Sequence, residues 1–232
     1  MVNLSVGQFT AIEVDPAEYI AIAASAGCQK VSLLTNSPSP QMQLPLVNRE
    51  NFERVRKALA TTGLTVSNVE CFMITPDTNV EDFRQAMALG ATALLFDADE
   101  IRVKKKLAQL CAMAGEYGLR TSIEFMPMTP RWHTLAEITA LIQEIGHPNL
   151  GICIDLLHLV RSGGTPADVT AIPQELIHYA QLCDSADVSA NRDYAIEASS
   201  SRLAPGDGRF PFQAFLQALP ATATLEIEVP QP

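Results

Sequence analysis

The chain has 232 residues, 47% of them hydrophobic, and a formal net charge of −10. That length suits one large domain, since an α/β barrel runs to about 250 residues, and no apolar run reaches the roughly 18 residues that a membrane span needs. A pI near 4.8 disfavours phosphate backbones as partners; the one dense basic run, RVKKK at 102–106, falls on a predicted helix and reads as a solvated face. The expectation is therefore no nucleic acid and no membrane.

The opening MVNLSVGQFTAIEVD has neither a basic n-region nor an apolar h-region, so it does not read as a signal peptide. Five scattered cysteines without a C-x-x-C pair read as free thiols in a reducing, cytoplasmic setting.

LSVGQFT (4–10) is the first predicted strand. Asp15 and Pro16 then open a helix that runs to Gly27. CQKVSLLT (28–35) is the second strand, 36–45 a proline-rich polar loop, and 48–63 the second helix. LTVSNVECFMI (64–74) reads as the third strand and 80–90 as the third helix. ATALLFD (91–97) follows as a strand, then a helix around 98–117. TSIEFMP (121–127), a helix near 134–145 and LGICIDLLHLV (150–160) come next. A short helix near 166–177 precedes YAQLCDS (179–185). The segment 186–209 is polar and weakly periodic and reads as a long loop; 210–220 is the last helix and TATLEIEVP (222–230) the last strand.

Eight strands alternating with seven helices predict a parallel sheet with helical crossovers, closed as a (β/α)8 barrel in a single domain over 1–232. Four residues follow Glu228, so the expected barrel lacks the eighth helix. An uncovered strand pair would be an association patch, which motivates a homodimer.

Four oxygen-bearing side chains stand near the ends of apolar runs: Glu124, Asp155, Gln181 and Glu228, with gaps of 31, 26 and 47. The C-terminal ends of parallel strands converge on the face where such a barrel keeps its active site. Three carboxylates and an amide gathered there call for a cation between them, and an all-oxygen set suits Mn2+, Mg2+ or Co2+. Each residue also has a plainer reading: an ion pair with Arg120 or Arg131 for Glu124, a helix N-cap for Asp155, a satisfied interior amide for Gln181. Glu226 shares a strand face with Glu228, and the strand-end position favours Glu228 as the ligand. His158 faces the same mouth if the chain turns helical after Asp155. His133, beside Trp132 on the loop after the fifth strand, is a further candidate for touching substrate. The chain has no G-x-x-x-x-G-K-[ST], G-x-G-x-x-G or G-x-S-x-G, so no nucleotide cofactor and no serine nucleophile are expected.

IEF followed by proline (123–127), ID-x-x-H (154–158), Q-L-x-D (181–184), R-x-x-PG-x-G (202–208) and IEVP (227–230), in this order, resemble the xylose-isomerase-like TIM-barrel superfamily of sugar isomerases and epimerases. The resemblance spans essentially the whole chain. It implies a divalent metal held by Glu124, Asp155, residue 181 and Glu228. The third ligand is usually histidine in the epimerases; Gln181 is neutral and does not titrate, which leaves Mn2+ or Mg2+ binding intact and makes Zn2+ less favoured. A similar Glu, Asp, Gln, Glu set occurs in the 3-dehydroshikimate dehydratase branch. The resemblance also implies that His158 lies near the substrate and that Arg202 neutralises a carboxylate, phosphate or enediolate oxygen. Glu124 and Glu228 would then remove and return a proton through an enediolate. The expected function is a metal-dependent isomerase or epimerase of a small sugar or sugar-like hydroxy or keto acid. A dehydroshikimate dehydratase-type lyase and a degenerate, non-enzymatic metabolite-binding barrel are the alternatives.

Overall fold

The computed structural model describes residues 4–37, 42–84, 92–189 and 193–231. In chain order the main elements are β1 (Leu4–Val6), α1 (Pro16–Ser25), β2 (Lys30–Leu34), α2 (Phe52–Thr62), β3 (Thr65–Glu70) and β4 (Phe72–Ile74). Then come β5 (Thr92–Leu95), α3 (Glu100–Glu116), β6 (Thr121–Glu124), α4 (Leu135–Ile145), β7 (Leu150–Asp155) and α5 (Leu156–Arg161). The chain continues with α6 (Pro166–Ala171), β8 (Ile177–Leu182), α7 (Tyr194–Ser200), α8 (Phe212–Ala218) and β9 (Thr224–Ile227).

Helix starts follow their capping residues. Asp15 accepts from Ala17 N at 3.0 Å with Pro16 as the first helical residue of α1, a position where a missing N–H costs nothing. Asp99 caps α3 through Arg102 N. Thr134 and Glu137 form a reciprocal capping box on α4, which satisfies two otherwise orphaned N–H groups.

The strands form one parallel sheet in the order β3-β2-β1-β9-β8-β7-β6-β5-β4. The two outermost segments, β3 and β4, are halves of one chain run that breaks at Cys71. β3 pairs with β2, and β4 pairs with β5. The sheet therefore nearly closes on itself through the covalent chain, and eight barrel positions carry nine segments. The run 64–74, expected as a single strand, is corrected to these two. The run 150–160 is likewise strand β7 followed by helix α5. The segment 186–209 is not a loop throughout, since α7 lies in it. Of the helix expected at 80–90, a 3-10 turn spans Val80–Phe83 and residues 85–91 lie outside the described ones. Among the described residues no helix is long and apolar enough to cross a membrane.

Side chains alternate across each strand, and here the two faces differ in kind. Ile123, Ile152, Ile154, Ala180 and Leu182 belong to the apolar core shared with the helices. The residues that alternate with them turn into the barrel; Ser122, Glu124, Asp155 and Gln181 among these are polar and buried, and Cys153 meets Gln181 there. The apolar core thus lies outside the strands, and the barrel axis is left to groups that need partners.

One such partnership fixes the roof of the barrel mouth. Arg161, on α5, grips Glu197, on α7, with Nη2–Oε1 at 2.6 Å and Nε–Oε2 at 2.7 Å, both side chains 3% exposed. Arg161 also donates to the carbonyls of Asp187 and Ser189. Removing one member of a buried pair strands the other charge. Glu197→Ala is expected to lower the unfolding free energy by about 3–5 kcal/mol and to speed amide exchange in 187–189 and 193–200, measured by urea denaturation and hydrogen exchange. An unchanged midpoint would refute the clamp.

Candidate active site

Register brings the predicted residues together. Asp155 pairs with Gln181 across β7 and β8, and Gln181 with Glu226 across β8 and β9. Glu124 ends β6 opposite Cys153, and Glu228 follows the end of β9, its N–H bonded to Leu182 O. Glu124, Asp155 and His158 offer ligand atoms within 4.8 Å of one another, and so do Glu70, Glu226 and Glu228.

Each side chain has defined partners. His158 Nε2 lies 3.1 Å from Glu124 Oε1 and 3.8 Å from Asp155 Oδ2, while its Nδ1 lies 2.7 Å from Tyr194 Oη. Asp155 Oδ1 caps α5 by accepting from Leu157 N at 2.6 Å, so the residue is both an N-cap and a site carboxylate. Arg202 Nη1 bridges Asp155 Oδ2 at 2.5 Å and Glu228 Oε2 at 2.9 Å. Gln181 Nε2 donates to Glu228 at 2.8 Å and to Glu70 at 2.9 Å, and its Oε1 accepts from Cys153 Sγ. Glu226 lies deeper, fully buried, with Gln181 Nε2 and Ser67 Oγ each at 3.4 Å. The partner of Glu124 is His158, whereas Arg131 pairs with Glu100.

Glu124, His158, Glu228 and Arg202 line a cavity of about 300 Å3, together with Glu70, Tyr194 and a rim of Phe, Leu and Met side chains. His133 does not line it: its N–H bonds Glu137 and its carbonyl accepts from Ser162 Oγ at the start of α4. Asp155 and Gln181 stand behind the floor and hold Arg202, Glu70 and Glu228 in place. Sequence reasoning missed Glu70 and Tyr194. The signal for Glu70 was a carboxylate inside the apolar run VECFMI.

Five carboxyl groups are buried here around one guanidinium. Burial pushes the Glu70 carboxyl well above its ordinary range, and the Glu226 and Glu124 charges push it further. Burial and the Glu228 charge raise Glu226 to about 7. Burial also raises Glu228 well above its usual range; Arg202 opposes this, and Glu70, Asp155 and Glu124 add to it. Burial would raise Asp155 too, but Arg202 and His158 prevail and hold it low. The surplus of buried negative charge over one Arg202 is the donor chemistry that a divalent cation satisfies. Gln181 presents Nε2 to that centre, so ligation through this residue requires a half-turn of the amide that exchanges Nε2 for Oε1.

The family described as xylose isomerase-like TIM barrel matches residues 20–231. The chain belongs to that family. It is 29% identical over 138 residues to a 3-dehydroshikimate dehydratase of Pseudomonas putida, a match covering 60% of this chain and 20% of that protein. The match thus spans a fifth of this relative's length. Among solved structures, a zinc-bound IolI protein superimposes with a TM-score of 0.76 at 14% identity, over 100% of this chain and 90% of that one. A D-allulose 3-epimerase from Methylomonas sp. in complex with D-allulose gives 0.75 at 16% identity, over 99% of this chain and 84% of that one. Those two likenesses establish the shared fold.

The raised carboxyls set the sign of a pH effect in protein stripped of divalent ions. Glu226 holds its proton more tightly folded than unfolded, so its contribution is full below about pH 4.5 and is lost as pH rises through about 7. Asp155, held low, runs the other way, and its contribution is lost only in acid below its ordinary value of 3.8. The melting temperature of metal-free protein is expected to fall between about pH 5 and 8, and Glu226→Gln to flatten that fall. Equal slopes by differential scanning calorimetry would overturn the assignment.

Proposed function

We propose that the chain is a divalent-metal-dependent lyase that removes water from a small cyclic hydroxy-keto acid of the dehydroshikimate kind. The observation that carries this reading is the contrast inside the cavity. Its floor bears Glu124, His158, Glu228 and Arg202; its walls are Phe9, Leu34, Leu94, Phe96, Met126 and Met128. Such walls cover the faces of a ring, whereas an open-chain polyol would leave hydroxyls without partners. The sequence relationship to the Pseudomonas putida dehydratase supports the same choice, and Gln181 at the third ligand position agrees with it.

Glu124, Asp155, Gln181 and Glu228 would hold the ion, which when bound would acidify the C–H beside a substrate carbonyl. Glu124 takes that proton on its carboxylate, which faces the cavity. His158 donates from Nε2 to the departing hydroxyl, so a C–H and a C–O bond break and water leaves. Tyr194 Oη at Nδ1 fixes the tautomer that keeps the proton on Nε2. Arg202 supplies positive charge at the floor, and the apolar walls exclude bulk water.

An epimerase or isomerase of a small sugar shares the first step, with Glu228 returning the proton from the other side. One observation favours it. Among the described lining residues Arg202 is the sole arginine or lysine, and it is already paired with Asp155 and Glu228, which leaves a substrate carboxylate no free cation.

Purified protein is expected to carry a stoichiometric Mn2+, Mg2+ or Co2+, lost in Asp155→Ala, by elemental analysis. It should convert dehydroshikimate to an aromatic acid followed by ultraviolet absorbance. Glu124→Gln and His158→Asn should each lower that rate by about 10^2–10^4-fold. Metal-loaded protein that ignores this acid but epimerises a ketose by NMR would replace the first reading by the second. Inactivity on both would remove both.

A further inference from the structure

At the other end of the barrel a second cavity, of about 220 Å3, opens among Ser67, Asn68, Arg120, Ser122, His178 and Thr224. Tyr179 separates it from the acidic floor, its hydroxyl bonded to Asn68, Thr92 and Glu70. His178 reaches it through an irregularity in the sheet. Ile152 pairs with Ile177 and Cys153 with Tyr179, so His178 is the extra residue of a bulge, a device that re-aims a side chain. The ring lies flat against Gly151, where a Cβ would come within 2.3 Å of Nε2. Its Nδ1 is 3.1 Å from Ser122 Oγ.

The chemistry of this cavity differs from that of the mouth. Burial and the Arg120 charge hold the His178 pKa down at about 4, so the imidazole is neutral near pH 7. A neutral imidazole and a hydroxyl carry two polar hydrogens; their mutual bond uses one and leaves one to donate. Arg120 is exposed, and among the described residues no carboxylate lies within ion-pair distance of it. None of the lining residues is acidic, in a chain of net charge −10. A free guanidinium, a spare donor and no carboxylate around one small polar cavity match one ligand class.

We propose that this cavity is a second binding site, for a small oxyanion held between the Arg120 guanidinium and the Ser122–His178 pair. Phosphate and carboxylate share the required chemistry, and separate titrations tell them apart. Inorganic phosphate and acetate are each added to the full chain while backbone amide shifts are followed by NMR, in wild type, Arg120→Gln and Ser122→Ala. The expected result is saturable shifts at Arg120, Ser122 and His178 with at least one anion. Arg120→Gln, a surface change, should weaken binding by about tenfold or more, and Ser122→Ala by less. No saturable shift at these residues with either anion overturns the proposal. So does equal affinity in Arg120→Gln, or a response confined to Glu124, Asp155 and Arg202 at the opposite end.

Discussion

Burying five carboxyl groups at one end of a barrel is tolerable only if something positive or proton-donating meets each of them, and the surrounding structure is arranged to meet that demand. Arg202 is the main answer, bridging Asp155 and Glu228 while its Nε donates to Ala198 O. Asp184 and the turn over 203–210 hold its chain segment there. Asp184 accepts from Ser185 N, Gly206 N and Phe210 N and joins Leu203 by two backbone bonds. A Cβ at Gly208 would stand 2.2 Å from Asp184 Oδ1, so the turn closes around the aspartate only with glycine at that position. The PG-x-G loop is thus a mount for one guanidinium.

The same demand explains the polar barrel axis. Ser5 bonds Ser67, Thr92 bonds Asn68 and Tyr179, and Asn68 and Tyr179 both reach Glu70. A buried network of this kind is stabilising only when its members are satisfied, and among the described residues the one buried side-chain polar atom without a hydrogen-bond partner is Thr121 Oγ1. Apolar packing is displaced outward, between strands and helices, where Ile, Leu and Val dominate.

The strand ends were legible in the sequence because an inward-facing acid within an apolar run breaks a simple pattern, and the pattern repeats at Glu124, Asp155 and Glu228. Glu70 follows the same rule, yet the apolar run continues through Phe72 to Ile74 and hides the place where the strand breaks. Tyr194 and α7 were not legible, because a seven-residue helix has little intrinsic stability. It is held by Arg161, 36 residues away from Glu197 in the chain, and no local window contains that contact. His133 was a candidate from its place on the loop after the fifth strand beside Trp132; its N–H goes to Glu137 at the start of α4 and its carbonyl accepts from Ser162, contacts far along the chain or local to a cap that its own position does not announce.

Gln181 and Glu70 are best understood as a pair. An amide nitrogen carries two hydrogens, and Gln181 uses them to meet Glu228 and Glu70 at once. An imidazole in that position would present a single N–H toward the centre. It would reach one of the two carboxyls and leave the other to its remaining donors, Arg202 for Glu228 or Asn68 and Tyr179 for Glu70. The glutamine that departs from the epimerase pattern therefore joins Glu70 and Glu228 through one side chain. Because the amide is neutral, it steadies both carboxyls by hydrogen bonds alone and supplies no positive charge to the centre.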